Sequence, residues 1–219
     1  MPLAASAAKK PRARALTSAQ ARLVLLSAAA AGGGSRDVAA HAESAIHAGA
    51  PPAAVYETLL QSYLFLGFPR AIEALFAAKP ALDRHGGVPA AAAAVDLAGW
   101  RDAGEILCRR VYGRNYDRLV ETMRRLSPDL ASWMILEGYG KTLSRPHLDP
   151  VAREYCVIAI LTVTGMWRQL RSHAIGAVSV GGTRAGVREA IRSCAPFAGA
   201  AAVRRALRAA GLEAGHARS

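Results

Sequence analysis

The stretch LDPVAREYCVIAILTVTGMWRQLRSHAIGAVSVGG, residues 148–182, decides the fold because the chain contains a second version of it. That version, LTSAQARLVLLSAAAAGGGSRDVAAHAESAIHAGA, lies 132 residues earlier, at residues 16–50. The alignment extends without a gap to 16–75 and 148–207 and pairs glycines, histidines, phenylalanines and glutamates. Because several residue types match in register, an internal duplication explains the pattern better than a shared bias towards alanine.

Each copy is predicted to begin with a helix, at about 17–31 and 149–164. The β-branched run 156–163 would by itself also suit a buried strand, but its counterpart 23–31 is dominated by leucine and alanine, which favour helix. Thr17 and Gln20 have the spacing of a capping box, and Asp149 followed by Pro150 is typical of an N-cap and a first helical turn. The comparison of the copies therefore favours a helix in both.

Two more helices are expected in each copy, which makes three. A glycine is predicted to cap the end of the second of these three helices. The approximate ranges of the second and third helices are 35–48 and 52–66 in the first copy and 166–180 and 184–195 in the second. Between the copies, the sequence predicts a loop over 80–89, an alanine-rich segment, and helices at 112–126 and 130–141. These helices predict an all-α, duplicated helical bundle.

The domain boundaries follow from the duplication and from the composition of the ends. The predicted organisation is a disordered basic tail at 1–15, a first repeat at 16–79, a connector at 80–110, a second repeat with its lead helices at 111–207, and a tail at 208–219.

Composition excludes several classes of protein. The 219 residues are 52% hydrophobic, which is typical of a globular protein, and no apolar run approaches the roughly 20 residues that cross a bilayer. The net charge is +12, but only four of the 28 basic residues are lysines. A coding bias is as good an explanation of this arginine excess as selection for phosphate binding. A membrane or nucleic-acid partner is not expected. Three widely separated cysteines predict reduced thiols and a cytoplasmic location.

One pair of side chains in the second copy suggests acid–base chemistry. Met166, Gln169 and His173 share one face of the second helix, and Glu154 lies on the first. A carboxylate and an imidazole that face each other can share a proton, as general acid–base catalysis requires, although a packed core histidine is the alternative interpretation. The first copy keeps His41 but has an arginine, Arg22, in place of the carboxylate, so its site is predicted to be altered or structural.

Motifs for other chemistries are absent from the sequence. The histidines form no His-x-x-x-His pair and lie near no cysteine pair, so no metal site is predicted. The glycine run 32–34 lacks the Gly-Lys-Ser/Thr of a phosphate-binding loop, and no Gly-x-Ser-x-Gly nucleophile elbow occurs. No cofactor is therefore expected.

The segments GYGKTLSRPHLDPVAREYCVIAIL (138–161), RQLRSHAIGAVSVGGTRAGVREAI (168–191) and HAESAIHAGAPPAAVYETLLQSYLFLGFPRAIEAL (41–75) resemble the carboxymuconolactone decarboxylase family. This family belongs to a superfamily that includes alkylhydroperoxidase D, so the resemblance implies an alkylhydroperoxidase D-like bundle. The peroxidase branch carries a Cys-x-x-Cys motif, whose positions fall on Met166 and Gln169 here. A thiol peroxidase is therefore less expected than the decarboxylase branch.

The resemblance implies a cofactor-independent lyase that acts on a small carboxylated lactone or a related acid. His173 would be the acid–base catalyst and Glu154 its orienting partner. Arg168 and Arg153 would anchor the substrate, and Trp167 and Gln169 would complete its binding site. By the same resemblance, the chain would form a homo-oligomer, with a trimer favoured. The alternatives are a non-catalytic or divergent helical scaffold and, less expected, a basic nucleic-acid binder.

Overall fold

The all-α prediction is confirmed by a computed structural model, which describes residues 15–90 and 96–213. Within these ranges the chain forms helices and contains no β-strand. The predicted basic tail, apart from Ala15, lies outside the described residues, as do the alanine-rich segment 91–95 and the chain end 214–219. None of the helices in the described ranges is long and apolar enough to cross a membrane.

The helices fall into three groups along the chain. The first repeat contributes α1 (Ser18–Gly32), α2 (Ser35–His47), α3 (Pro52–Leu60) and α4 (Tyr63–Arg84). The middle contributes α5 (Leu97–Tyr112), a 3₁₀ turn (Gly113–Asn115), α6 (Tyr116–Leu126), α7 (Pro128–Trp133) and a π-helix (Met134–Leu143). The second repeat contributes α8 (Pro150–Thr164), α9 (Trp167–Ser179), α10 (Arg184–Ser193) and α11 (Ala195–Ala209).

The first helix of each repeat starts at the predicted cap. Thr17 accepts a hydrogen bond from the backbone N–H of Gln20 at 3.1 Å, and the Gln20 side chain accepts one from the N–H of Thr17 at 3.1 Å. In the second repeat, Asp149 accepts from the N–H of Ala152 at 2.9 Å. These bonds satisfy amide groups that the first turn of a helix leaves unpaired, which explains why both helices begin there.

The two repeats share their order of helices and one unusual backbone conformation, although the turn after the first helix differs, with Gly33 extended and Gly165 left-handed. Gly67 interrupts α4 with φ 78° and ψ 166°, and Gly199 interrupts α11 with φ 77° and ψ 160°. This region of backbone space is essentially restricted to glycine. The matching kinks support the duplication at the level of conformation.

The repeats also share their cores. In one hydrophobic cluster Val24 and Ala28 of α1 pack with Ile158 and Leu170 of the second repeat. In the other cluster Cys156 of α8 packs among residues of the first repeat. The helices α1 and α8 lie against each other at the centre of the molecule. Each repeat therefore buries its apolar surface against the other.

The sequence predicted some helix boundaries wrongly. The expected loop over 80–89 begins only after Arg84, because α4 continues through Pro80. Proline removes one helical hydrogen bond, but Ala78, Ala81 and Leu82 around it are buried, and this packing offsets the loss. The third predicted helix of the first repeat ends early, at Leu60, and α4 begins at Tyr63.

The middle of the chain also departs from the prediction. The helix expected at 112–126 is interrupted by the 3₁₀ turn, and the helix expected at 130–141 changes into the π-helix after Trp133. This π-helix packs closely against α5, which lies in the stretch predicted as a connector. A Cβ atom on Gly104 would collide with the carbonyl oxygen of Ile135, and one on Gly140 with that of Trp100. Two glycines thus allow the two backbones to touch.

Candidate functional site

Glu154 and His173 meet in the core of the second repeat. Glu154 lies on α8 and His173 on α9, and the left-handed Gly165 reverses the chain between these helices. His173 Nδ1 lies 2.8 Å from Glu154 Oε2, and the residues are only 6% and 5% exposed. An ionised carboxylate accepts a hydrogen bond, so Nδ1 carries the proton of this bond. The ring nitrogen Nε2 is then the one that can reach a ligand.

Two neighbours fix the position of this pair. The ring of Phe65, from the first repeat, contacts His173 edge-on with a centroid distance of 5.6 Å. Gly176 lies on α9 one turn after the histidine. A Cβ atom there would approach Val111 Cγ1 to 2.7 Å, so the glycine lets α5 pack tightly beside Glu154. The imidazole is therefore held between elements of both repeats and the middle region.

A cavity of about 450 Å³ opens beside His173. Its volume is in the range of small-molecule sites, roughly 300–1,000 Å³. The lining is mainly apolar and aromatic, and much of one wall is formed by the π-helix. The lining residues are Leu64, Phe65, Tyr112, Met123, Leu130, Trp133, Met134, Glu137, Gly138, Tyr139, Leu143, Leu161, Met166, Gln169 and His173. Helices of π type are rare and often mark functional sites.

Two phenols line this cavity and remain protonated at neutral pH. Burial raises the pKa of Tyr112 to about 12, and the negative charge of Glu154 adds to the effect. Burial also raises the pKa of Tyr139 well above its usual value. The two rings contact each other edge-on with a centroid distance of 6.2 Å. Both side chains are therefore neutral hydroxyl groups that can donate a hydrogen bond.

The structure brings only some of the predicted site residues to this cavity. Gln169 lines it together with His173. Arg168 is exposed and is not among the described lining residues, and Trp167 packs against the core of the second repeat. Sequence spacing placed these three residues near the histidine, but on a helix they point in different directions.

Arg153 also lies outside the lining, because it is committed to a buried ion pair. Its Nη2 group donates to Glu57 Oε2 at 2.9 Å and to the carbonyl oxygen of Arg145 at 2.8 Å. Glu57 is completely buried and also accepts from Arg145 Nε at 2.9 Å. These bonds tie α3 to the start of α8, so Arg153 connects the two repeats rather than facing the cavity.

The acidic residue in the cavity wall is paired. Glu137 lies 3.5 Å from the Lys141 ammonium group one helical turn away, and Tyr63 donates a hydrogen bond to it at 3.2 Å. Among the described lining residues there is no lysine or arginine. A ligand in this cavity would therefore meet aromatic rings and neutral hydroxyl groups rather than an unpaired cation.

A wider cleft of about 720 Å³ lies on the other side of Leu143. It is lined by Arg110, Arg145 and His147 among others, and it does not include the Glu154–His173 pair. Since Arg145 is already paired with Glu57, we place the candidate site in the smaller cavity, where an acid and a base are in contact.

None of the three cysteines is among the residues that line the cavity. Cys108, Cys156 and Cys194 are free and buried, and burial raises the pKa values of their thiols to about 12, 11 and 12. A thiol needs a lowered pKa to act as a nucleophile. The peroxidase positions hold Met166 and Gln169, so the cavity offers no thiol.

The equivalent place in the first repeat holds a histidine without a carboxylate partner on the preceding helix. His41 contacts the ring of Phe197 edge-on with a centroid distance of 5.6 Å, and the position of Glu154 is taken by Arg22. Burial lowers the pKa of His41, the charge of Asp37 opposes this, and the charge of Arg22 lowers it further. This repeat keeps the packing of the histidine but lacks the buried acid–imidazole pair.

Fold and site together define a class of protein: a duplicated all-α bundle with one buried glutamate–histidine pair beside a small apolar cavity. The chain belongs to the carboxymuconolactone decarboxylase family, whose pattern matches residues 3–80 and 128–211. It is also similar to Peroxisomal protein 2 of Schizosaccharomyces pombe, with 31% identity over 137 residues and 58% of this chain covered. The match spans 61% of the length of that relative.

The residues that sequence reasoning missed come from outside the two helices that carry Glu154 and His173. Phe65 belongs to the other repeat, and Tyr112 and Tyr139 belong to the middle region. Only the tertiary structure brings them to His173, because no spacing rule links positions so far apart in the chain. The unusually glycine-rich contact between α5 and the π-helix is the one local signal that could have pointed there.

Proposed function

We propose that the chain is a cofactor-independent lyase that removes the carboxyl group of a small lactone or a related acid. The observation that carries this proposal is the 2.8 Å contact between His173 Nδ1 and Glu154 Oε2, buried beside an apolar cavity. Such a pair can hold an imidazole in one orientation and stabilise its charged form. His173 would then supply a proton to a reacting carbon.

The proposed reaction has two steps. The bond between the substrate carbon and its carboxylate breaks, CO₂ leaves, and the electron pair stays on the carbon as a delocalised enolate. The Nε2–H of the His173 imidazolium then donates its proton to that carbon, and the neutral imidazole takes up a new proton from solvent. Throughout, Glu154 accepts the hydrogen bond from Nδ1–H and keeps the ring in place.

The cavity supports this chemistry through neutral groups. The hydroxyl groups of Tyr112 and Tyr139 hydrogen-bond to each other, which leaves one phenol proton that can be donated to the developing enolate oxygen, a role that the sequence assigned to Arg168 or Arg153. An apolar lining also solvates a localised carboxylate less well than the delocalised charge that replaces it. We therefore propose a substrate that is compact and conjugated, in which the carboxylate that leaves lies against the apolar lining and any second carboxylate points to the opening of the cavity.

The test is a turnover assay with a control from the other repeat. Purified protein is mixed with γ-carboxymuconolactone, and the loss of its ultraviolet absorbance and the release of CO₂ are followed. We expect turnover by the unmodified chain, a rate lower by about 10²–10⁴ in His173→Gln, and an unchanged rate in His41→Gln. Absence of turnover in the unmodified chain would refute this substrate, and full activity of His173→Gln would refute the site.

A second proposal concerns assembly, and a stripe on α4 favours it. Phe68, Ile72 and Phe76 follow one another at intervals of four residues and are 63%, 45% and 71% exposed. The equivalent positions in the second repeat hold Ala200 and two arginines. We propose that this apolar stripe is the contact through which the chain forms a homo-oligomer, with a trimer as the expected state.

Light scattering tests the assembly. We expect the unmodified chain to have a mass of three times 23.0 kDa and Phe76→Arg to be a monomer, because the new charge would be desolvated in the contact. Ile106→Arg changes an equally exposed residue on α5 and should remain a trimer. A monomeric unmodified chain would contradict the proposal. If assembly holds while turnover fails, the scaffold alternative is favoured over the lyase.

We propose a reducing compartment as the location, with the cytoplasm as first choice. The three free thiols are buried and none pairs with another, as expected where disulfides do not form. The similar protein from S. pombe carries a peroxisomal name, so the peroxisome is the second compartment to examine. Imaging of the chain fused to a fluorescent protein at either end would distinguish the two.

A further inference from the structure

Two histidines and a glutamate of the first repeat come together at the ends of two helices. Glu43 and His47 lie one turn apart near the end of α2, and His85 directly follows α4. Glu43 Oε1 lies 3.1 Å from His85 Nε2 and 3.4 Å from His47 Nε2. The three possible ligand atoms all lie within 4.8 Å of one another. Sequence spacing does not reveal this group, because His85 is far from the other two residues along the chain.

We propose that Glu43, His47 and His85 form a binding site for a first-row divalent cation of the zinc type. Zinc binds imidazole nitrogen and carboxylate oxygen at about 2.0–2.2 Å in a tetrahedral arrangement, which separates ligand atoms by about 3.3 Å. Two of the separations, 3.1 Å and 3.4 Å, are already close to this value. The remaining separation, between the two imidazole nitrogens, is at most 4.8 Å, and the exposed His47 side chain has room to turn toward a cation. Water would occupy the fourth position.

The surroundings of Glu43 direct one oxygen to the cation. Arg84 Nη2 donates to Glu43 Oε2 at 2.6 Å, while Oε1 faces both imidazoles. A partner that holds the second oxygen of a ligating carboxylate orients it toward the metal.

The carboxyl ends of α2 and α4 favour a bound cation electrostatically. His47 is in the last turn of α2, and His85 is the residue that caps α4. The carboxyl end of a helix carries partial negative charge, which favours a nearby cation. The backbone of His85 is fixed by hydrogen bonds from the N–H groups of His85 and Gly87 to the carbonyl oxygen of Leu82. The site therefore joins α2 to α4 through a preformed turn.

The second repeat lacks the corresponding donors. The positions equivalent to Glu43 and His47 hold Ile175 and Ser179. The proposal thus predicts one cation for each chain and places it in the repeat that lacks the glutamate–histidine pair. It does not depend on the proposed lyase activity, because the cation would lie at the surface of the other repeat.

Titration of the tag-free, full-length chain with ZnCl₂ tests the site. Isothermal titration calorimetry should give one equivalent of saturable binding, weakened at least tenfold in His47→Ala and in His85→Ala. The control is His147→Asn, which removes an exposed histidine elsewhere and tolerates the positive φ of 73° at that position. It should bind like the unmodified chain.

Thermal unfolding gives a second readout. Zinc should raise the melting temperature of the unmodified chain and of His147→Asn, because a ligand that binds only the folded state stabilises it. Zinc should leave the melting temperature of His47→Ala unchanged. Absence of saturable binding, more than one equivalent, or equal binding by His47→Ala and the unmodified chain would overturn the proposal.

Discussion

The two repeats share their order of helices but differ in their interactions. Each histidine contacts the phenylalanine of the other repeat, His41 with Phe197 and His173 with Phe65, at the same centroid distance of 5.6 Å. The repeats differ on the preceding helix, where the second has a buried glutamate and the first has Arg22. The comparison teaches that the packing of the histidine belongs to the fold, whereas the acid–imidazole pair is specific to one repeat.

A second pair of equivalent residues shows the same divergence. Glu57 accepts hydrogen bonds from Arg145 and Arg153, just before and within the first helix of the second repeat. Its counterpart Glu189 accepts from the backbone N–H groups of Ala15 and Leu16, at 2.9 and 3.2 Å, just before the first helix of the other repeat. Both glutamates tie one repeat to the start of the other, but only one does so through buried charge.

The largest effect is expected at these glutamates. Glu57→Gln leaves Arg153 buried without its charged partner and should lower the free energy of unfolding by about 3–5 kcal/mol. Glu189→Gln keeps an oxygen that can accept from the same backbone groups and should cost about 1 kcal/mol. Chemical denaturation measures both. Equal losses would show that the two contacts are energetically alike despite the difference in charge.

The next effect concerns Glu154, the partner of the proposed catalytic histidine. Glu154→Gln should reduce kcat by about 10²-fold, because the amide holds the imidazole without stabilising its charge. KM should stay within about twofold of its original value, because Glu154 is not among the residues that line the cavity and the imidazole keeps its place. Arg22→Gln at the equivalent position should leave both kcat and KM unchanged. An unchanged kcat in Glu154→Gln would remove this residue from the mechanism.

Substitution of the glycine at each helix kink should destabilise the fold by a similar amount. A side chain is strained in the backbone region of Gly67 and Gly199, so Gly67→Ala and Gly199→Ala should each destabilise the fold by about 1–3 kcal/mol. An added Cβ meets only Pro69 Cδ at 3.8 Å in the first case and nothing within 4 Å in the second. Backbone strain is then the common cause. Denaturation curves that differ by more than about 1 kcal/mol would show that the repeats are not equivalent here.

The smallest effect is electrostatic. Replacing Arg22 by Gln removes a positive charge that lowers the pKa of His41, so this pKa should rise by a few tenths of a unit in an NMR titration. Arg36→Gln, on an exposed part of α2, is the control and should leave the pKa unchanged. A fall in the pKa in Arg22→Gln would contradict the assigned cause.

The lowered pKa of His41 also makes the stability of the fold depend on pH. The folded state of the unmodified chain holds the pKa of His41 below the ordinary 6.5, so the unfolded state binds the proton first. The contribution of His41 is complete above pH 6.5 and declines as the pH falls through the folded-state pKa. In Arg22→Gln this decline should be smaller, which denaturation at pH 7 and pH 5 measures.

Much of the helical architecture could be read from the sequence because its signals are local. The caps at Thr17 and Asp149, and the leucine- and alanine-rich composition of the first helix, depend on neighbouring residues. The same local signals did not predict that α4 continues through Pro80. The helix continues there because the packing of buried residues on both sides offsets the missing hydrogen bond. They also did not predict the π-helix, which packs closely against α5.

The candidate site, too, could be predicted from the sequence only in part. Spacing placed Glu154 and His173 on successive helices, and the fold brings them into contact across the turn at Gly165. Spacing also proposed Arg153 as an anchor, but a guanidinium group pairs with whichever carboxylate the fold buries beside it, and that is Glu57. Which charged groups face a ligand depends on partners that are distant in the chain.

The sequence by itself therefore determined the duplication, the all-α class and the carboxylate–imidazole pair as a candidate, because each depends on residue identity at fixed local spacing. Only the tertiary structure decided that Phe65, Tyr112 and Tyr139 surround His173 and that His85 joins Glu43 and His47. The physical reason is that these groups come from helices far apart in sequence, and their distances are fixed only when the shared core of the two repeats is packed.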